Sequence, residues 1–318
     1  MDIFLKFLMA AVLAGTPILF GIVGEIYNEK AGHLNLGVEG IMSLGACSGF
    51  MFGYMSDSLT VAILMSAVAG ALAALIYAIL TVTFMANQNV TGLTLTIFGI
   101  GLSNFIGVMM VGKSAEGTLK LPEGVNGMLR NIHIPFLSDI PVIGELLFSY
   151  NIFVYIGIVV ACLSGHYIFR TKAGLNLQAV GENPAAADAA GINVNKTKYF
   201  NIIIGGAICG IGGAYCSMVI NSGVWINDNI GGIGWIAVAL VIFSNWKPTH
   251  AIFGSFLFGA MRIAKYYIPQ SILPFPIAFY DMLPFVITII FLIVSSMSKS
   301  KKLALPNHLG VNYYREER

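Results

Sequence analysis

Residues 58–112 read SLTVAILMSAVAGALAALIYAILTVTFMANQNVTGLTLTIFGIGLSNFIGVMMVG, a run of 55 positions between Asp57 and Lys113 without a single charged side chain. One helix needs only about 20 predominantly apolar residues to cross a bilayer, so this run alone holds two spans. Asn87-Gln88-Asn89 is the natural place for the turn between them, on the cytoplasmic side. The rest of the chain has the same character. Of its 318 residues 57% are hydrophobic and 10% charged, against about 25% charged in a soluble domain. A single water-soluble core is therefore excluded. The net charge of +2 comes from 17 Lys and Arg against 15 Asp and Glu, scattered without a basic face, which argues against nucleic acid as a partner.

In hydrocarbon the backbone must satisfy its own hydrogen bonds, which only helices and closed barrels do. Long apolar runs without period-2 alternation select helices. The expected fold is all-α: a polytopic membrane helical bundle, a single transmembrane domain over residues 1–318, with about nine spans. These fall near 4–24, 38–55, 60–85, 91–112, 150–169, 199–220, 231–246, 249–268 and 281–298. Lys6 lies in the first, and Arg262 and Lys265 interrupt the eighth. The first run lacks a small-residue cleavage site and is followed by Gly24-Glu25, so it reads as a span rather than a signal peptide.

Cytoplasmic loops of membrane proteins are enriched in Lys and Arg. Placing the C-terminal tail, 299–318, inside puts eleven of these residues there, among them Lys30, Arg170, Lys172, Lys196, Lys198 and Lys247. Six remain outside: Lys6, Lys113, Lys120, Arg130, Arg262 and Lys265. Nine spans then put the N-terminus outside. Two loops exceed simple connectors. The stretch 113–149, with Pro122, Pro135 and Pro141, is expected outside the cell, as a cap or a docking surface for another protein.

The second loop, 170–198, is expected in the cytoplasm and reads RTKAGLNLQAVGENPAAADAAGINVNKTK. Asn183 is a good N-cap, Pro184 suits the first turn, alanines and Asp188 continue the helix, and Gly191 stops it. A two-turn helix is unstable alone in water, because nucleation is costly. It needs a partner surface. It lacks the Trp, Phe or Leu face of a helix that lies on a membrane, and its small side chains suit insertion into a groove.

The run Ala179-Val180-Gly181-Glu182-Asn183-Pro184-Ala185-Ala186-Ala187, with Ala190-Gly191-Ile192, resembles the cytoplasmic loop of ABC importer permeases of the branched-chain amino acid, simple sugar and nucleoside group. Leu34-Asn35-Leu36-Gly37-Val38-Glu39-Gly40-Ile41-Met42, followed by Leu44-Gly45-Ala46, is similar to the first signature of that group and looks most like its nucleoside or simple-sugar subgroup. The resemblance implies that this helix docks into a separate ATPase subunit through Glu182, Asn183, Pro184, Ala187, Asp188 and Gly191. It also implies a second permease subunit, an extracytoplasmic solute-binding protein and residence in a prokaryotic plasma membrane. The solute it implies is a nucleoside, with a simple sugar second.

Polar groups inside spans are costly unless paired, and so become candidates for function. Asn35-Leu36-Gly37-Val38-Glu39-Gly40 opens one apolar run, and Asn229-Ile230-Gly231-Gly232-Ile233-Gly234 opens another of opposite direction. They form a possible inverted repeat, as in many transporters. Helix starts dipping towards the midplane would aim free N–H groups at a pathway for an uncharged polar solute. Glu39 reads either as an acid at the first turn of its helix or as a group on solute or gate. Asn104, in mid-span, is a candidate for lining the pathway. Trp225, Trp235 and Trp246 read as interfacial belt aromatics. Trp225 and Trp235, near Asn227 and Asp228, could instead stack on a base or sugar. Gly205, Gly206, Gly210, Gly212 and Gly213 suit close helix packing.

Several chemistries are rejected. Gly107 to Ser114 fits the P-loop pattern, but it ends an apolar helix and lacks the strand, loop and helix context. A permease without a nucleotide site must borrow its ATPase. The five histidines and the four cysteines (Cys47, Cys162, Cys209, Cys216) show no metal-ligand spacing. No nucleophile elbow is present. No cofactor and no catalysis are expected. The rival reading is an ion-coupled secondary transporter, which would need more titratable groups than Glu39, Asp228 and Asp281; an integral-membrane enzyme would need a catalytic cluster that cannot be assembled.

Overall fold

The structure is a computed structural model describing residues 2–114, 117–132, 143–267, 277–297 and 306–314. Lys299, Lys301, Lys302, Arg315 and Arg318 of the basic tail lie outside the described residues. In chain order the helices are α1 (Asp2–Lys30), α2 (Val38–Ser56), α3 (Leu59–Ala78), α4 (Gln88–Val111), α5 (Glu123–Met128), α6 (Ile143–Phe148), α7 (Ile152–Arg170), α8 (Lys172–Glu182), α9 (Pro184–Ala189), α10 (Val194–Tyr215), α11 (Ile233–Phe243), α12 (Pro248–Tyr267) and α13 (Ile277–Met297). Short π-helical turns, Ile79–Thr83 and Cys216–Ile220, extend α3 and α10. The chain is a polytopic helical membrane protein. Among the described residues, five helices, α1, α3, α4, α7 and α10, are both long and apolar enough to cross a membrane, counting the π extensions. The less apolar α2 is buried along most of its length among its neighbours, so it need not match lipid.

Three boundaries differ from expectation, each for a physical reason. The first helix does not stop at 24 but continues to Lys30, through Glu25 and Glu29. Both carboxylates are buried and paired. Glu25 accepts from the Asn28 amide at 2.7 Å and from the Asn35 N–H at 3.0 Å, and Glu29 accepts from the Trp246 indole N–H. The Asn87 side chain caps α4 by accepting from the Val90 N–H, so Gln88 and Asn89 already belong to the helix. The seventh expected span, 231–246, holds only the 11 residues of α11. At 1.5 Å per residue it is about 16 Å long, roughly half the hydrocarbon thickness. It is a half-helix, entered through the irregular segment 221–232.

Pro17 lies inside α1 and has no N–H for the Leu13 carbonyl four residues back. The Tyr215 hydroxyl supplies the missing bond, donating to that carbonyl at 2.9 Å. A backbone group unmatched in hydrocarbon is thus answered from a neighbouring helix.

The helix packing has an internal exchange symmetry. α1 lies along α12 as α10 lies along α3, and α1 meets α11 as α10 meets α2. α2 packs on α4 as α11 packs on α13, while α1–α10 and α2–α11 touch each other. Swapping α1–α4 with α10–α13 maps these contacts onto themselves, with α5 to α9 standing outside the relation. The five glycines of α10 lie at the crossings. A methyl at Gly210 would press on the backbone of Ser66 and Gly70 in α3, and Gly45 of α2 closes on Gly210 from the other side. Gly210→Leu should therefore abolish folded yield, since overpacking against backbone exceeds the about 1–3 kcal/mol of an adaptable core. Gly101→Leu, where no neighbouring atom lies within 4 Å, should leave yield and melting temperature intact in detergent.

Candidate functional site

Two places gather the residues of interest, one at an end of the bundle and one within it. At the end, α8 and α9 fold back beneath the helices. Thr171 caps α8 by accepting from the Gly174 N–H. The Asn183 side chain caps α9 by accepting from the Ala186 N–H at 3.0 Å, Pro184 fills the first turn, and Gly191 turns the chain out at φ 84°. The six-residue helix is held by a small cluster of Val180, Ala187 and Val194, with Tyr313 of the tail packed on it.

That cluster changes which residues are available to a partner. Pro184 and Ala187, assigned by resemblance to a docking contact, face into the chain and are buried, Ala187 at 3% exposure. Small side chains at those two positions let α9 lie close to α8 and α10. Ala185, Ala186, Ala189 and Ala190 form the outward side, together with Glu182, Asn183 and Gly191. Asp188 is half-buried and accepts from the Tyr313 hydroxyl at 3.0 Å. Glu182 accepts from the Asn307 side chain at 2.8 Å.

Within the bundle, the starts of α2 and α11 abut. The Glu39 carboxylate, in the first turn of α2, accepts from the Gly232 N–H at 2.8 Å and from the Gly234 N–H at 2.6 Å. It therefore caps the opposing helix α11 rather than its own. Gly232 stands at φ 85°, a conformation that favours glycine. A Cβ at Gly234 would press on the Glu39 backbone, so both glycines are required by this meeting of helix ends.

Beside the junction is a cavity of about 80 Å³, lined by Glu39, Ser43, Ser103, Asn104, Asp228 and Asn229 together with Ile100, Ile230 and Gly231. Asn104 and Asp228 are tied reciprocally: the Asn104 amide donates to the Asp228 carboxylate at 2.7 Å, and the Asp228 N–H donates to the Asn104 oxygen at 3.0 Å. Trp225 donates its indole N–H to Asn227 at 3.2 Å, while its ring packs edge-on against Phe50, 5.4 Å between centroids. The segment carrying these residues is held from the far end of the bundle, where 119–121 pairs with 223–225 through the Leu121 N–H to Gly223 and the Trp225 N–H to Leu119.

Four of the eight residues expected on a pathway, Glu39, Asn104, Asp228 and Asn229, converge on this cavity. The others lie elsewhere. Asn35 is buried in the turn before α2, where its side chain accepts from the Gly37 N–H at 2.8 Å. Trp225 is buried and its ring already occupied, Asn227 is its exposed neighbour, and Trp235 is 37% exposed on the bundle's side. Burial also removes Trp225 and Trp246 from an interfacial belt. Gly107 is helical within α4, against the Trp225 ring, so the apparent P-loop has no loop. Among the described residues no cluster suited to a metal ion occurs.

Residues 6–292 match the family described as branched-chain amino acid transport system, permease component. The chain belongs to this permease family. It is 34% identical over 316 residues to the nucleoside ABC transporter permease protein NupC of Lactococcus lactis subsp. cremoris, covering 96% of each chain. It is 33% identical over 293 residues to the guanosine ABC transporter permease protein NupQ of Bacillus subtilis, covering 88% of this chain and 89% of that one. A Haloferax volcanii protein, TsgC13, named as a candidate glucose ABC transporter permease, is 34% identical over 254 residues, 80% of this chain and 75% of its own. No solved structure matches. The chain is thus the non-catalytic membrane subunit of an ATP-driven importer, a class that implies ATPase and solute-binding partners.

Sequence reasoning missed the two serines of the permease cavity and the buried acids Glu25 and Glu29. Ser43 and Ser103 gave no signal, being small polar residues in apolar runs. Glu25 and Glu29 did: carboxylates following an uninterrupted apolar run, with Asn28 between them, could have been read as a paired group inside a longer helix. At the same end, His33 lies in the α1–α2 loop and His308 in the tail. Burial, and then the Lys198 ammonium, hold both imidazoles below their ordinary range. Both are accordingly neutral at neutral pH.

Proposed function

We propose that the chain is the permease of a nucleoside importer of a prokaryotic plasma membrane, paired with a second permease subunit of the same or a homologous sequence. The α8–α9 end faces the cytoplasm and the ATPase, and the 113–149 loop faces the solute-binding protein. The observation that carries the solute reading is the cavity at the α2–α11 junction. Its carboxylates are both engaged, Glu39 by backbone N–H groups and Asp228 by Asn104. What remains is a lining of hydroxyls and amides suited to a neutral, hydroxyl-rich solute. Ligand pockets usually measure about 300–1,000 Å³, so an 80 Å³ cavity represents a closed pathway that must widen during transport. The relatives named for nucleoside and guanosine favour a nucleoside over a sugar.

The test is uptake by proteoliposomes carrying the complete transporter and its binding protein. Labelled nucleosides should enter on ATP addition and be displaced by unlabelled nucleosides. Displacement by glucose instead would replace the nucleoside reading with the sugar one. In the same assay Asn104→Ala should lower uptake by about 10- to 100-fold, in line with about 1.4–2.8 kcal/mol for a lost polar contact and an unpaired Asp228, while membrane insertion and ATPase binding persist.

A further inference from the structure

The tail segment 306–314 is not a loose end, because its outward bonds reach several pieces of the same face. The His308 N–H donates to the Gly181 carbonyl at the end of α8, and the Gly310 N–H donates to the Gly32 carbonyl in the α1–α2 loop, both at 3.1 Å. Tyr313 donates to Asp188 of α9 and packs on the Val180, Ala187 and Val194 cluster. One residue earlier, the Asn312 amide donates to the Met85 carbonyl at 2.6 Å and to the Ala86 carbonyl at 3.4 Å. Met85 stands at φ 53°, in the left-handed region, so this α3–α4 turn is strained and is held in shape from outside.

The path continues inward through Gln88. Its side-chain N–H donates to Asn312 at 3.1 Å, and its oxygen accepts from the Leu34 N–H at 2.9 Å. Gln88 is buried, with both ends of its amide engaged. Separating Asn312 from Leu34 would leave a buried amide unpaired. Leu34 adjoins Asn35, whose side chain accepts from Gly37 at the start of α2, and Glu39 one turn on caps α11. An unbroken series of hydrogen bonds and short chain segments therefore joins α9 to the junction beside the cavity.

We propose that residues 306–314 are a coupling strap, in which Asn312 and Tyr313 carry displacement of α9 to the α3–α4 turn and, through Gln88, to the start of α2. This inference rests on the reading of α9 as the ATPase contact. Asn312, Tyr313 and Gln88 are positioning residues: none touches the cavity or the outward face of α9.

The experiment uses the complete reconstituted transporter and measures three quantities: ATPase subunit retained on purification, ATP hydrolysed, and solute imported per ATP. Asn312→Ala should retain the ATPase and its hydrolysis while uptake per ATP falls at least about fivefold, the lower end of ordinary coupling between sites. An unchanged ratio would overturn the strap. So would loss of the ATPase, since the tail would then be part of the docking surface. If Asn312→Ala does not assemble, Tyr313→Phe keeps the ring in its cluster and removes only the hydroxyl on Asp188; the same fall supports the proposal and an unchanged ratio overturns it. Gln88→Ala combined with Asn312→Ala should lower the ratio no further than either alone, and a product of two separate losses would contradict a single path. Failure of the α9 reading itself is seen separately, as an ATPase that stays bound when the outward face of α9 carries a charge.

Discussion

Ala186→Arg should yield a stable, membrane-inserted permease that no longer co-purifies with its ATPase and imports nothing measurable. Ala186 lies on the outward side of α9 and is exposed, so the larger side chain meets no part of its own chain. Arginine is also a good helix former, and an exposed substitution of this kind changes stability by no more than about 0.5 kcal/mol. A partner closing over α9 would have to bury an unpaired charge. Truncating or mismatching a buried charged contact costs about 2–5 kcal/mol, and about 2.8 kcal/mol is already a hundredfold in affinity. Uptake at wild-type rate with the ATPase still bound would remove this face of α9 as the dock. The same change at Ala187 would not discriminate. It would break the cluster that holds α9 together and would unfold the helix whether or not a partner uses it.

Glu39→Ala should abolish uptake by a different route, with the ATPase still attached. The carboxylate satisfies two N–H groups at the start of a half-helix that has no other cap: Gly232 and Gly234 offer no side chain. Each buried donor left unpaired costs about 1–3 kcal/mol, and N–H groups at a helix start attract negative charge. Removing the acid releases α11 from α2 at the point where the cavity is built. Uptake should fall more than about 100-fold, the equivalent of 2.8 kcal/mol, with a lower melting temperature in detergent. Glu39→Gln, which keeps one acceptor, should fall between the two. Wild-type uptake by Glu39→Ala would show that the junction does not govern the pathway.

Much of this arrangement was legible in the residues before any coordinates. Charge scarcity fixed the solvent, and the Asn183-Pro184 start and Gly191 stop fixed α9 to within one residue, because caps act locally. The two matching Asn-to-Gly motifs pointed to α2 and α11, since both open apolar runs. What could not be read was how the motifs face each other. Glu39 meets Gly232 across 193 positions of sequence, and no local rule says which helix a buried acid will cap. Burial was equally hidden for Ala187, whose alanine neighbours look identical and differ only by the angle at which the helix lies. In sequence the tail is marked only by its basic residues. Its side-chain hydrogen bonds come from Asn307, Asn312 and Tyr313, residues with no pattern of their own.

The exchange of α1–α4 with α10–α13 has an energetic consequence. When opposite ends of a bundle are built from equivalent packings, opening one end costs nearly what opening the other costs, and the two arrangements lie close in free energy. A preference between them then comes from the parts without a counterpart. Here those are the helices α5 to α9, the 306–314 segment, and the difference between α2 with 19 residues and α11 with 11. Moving a two-state balance from 1:99 to 99:1 takes only about 5.5 kcal/mol, a difference that the elements breaking the exchange are enough to supply.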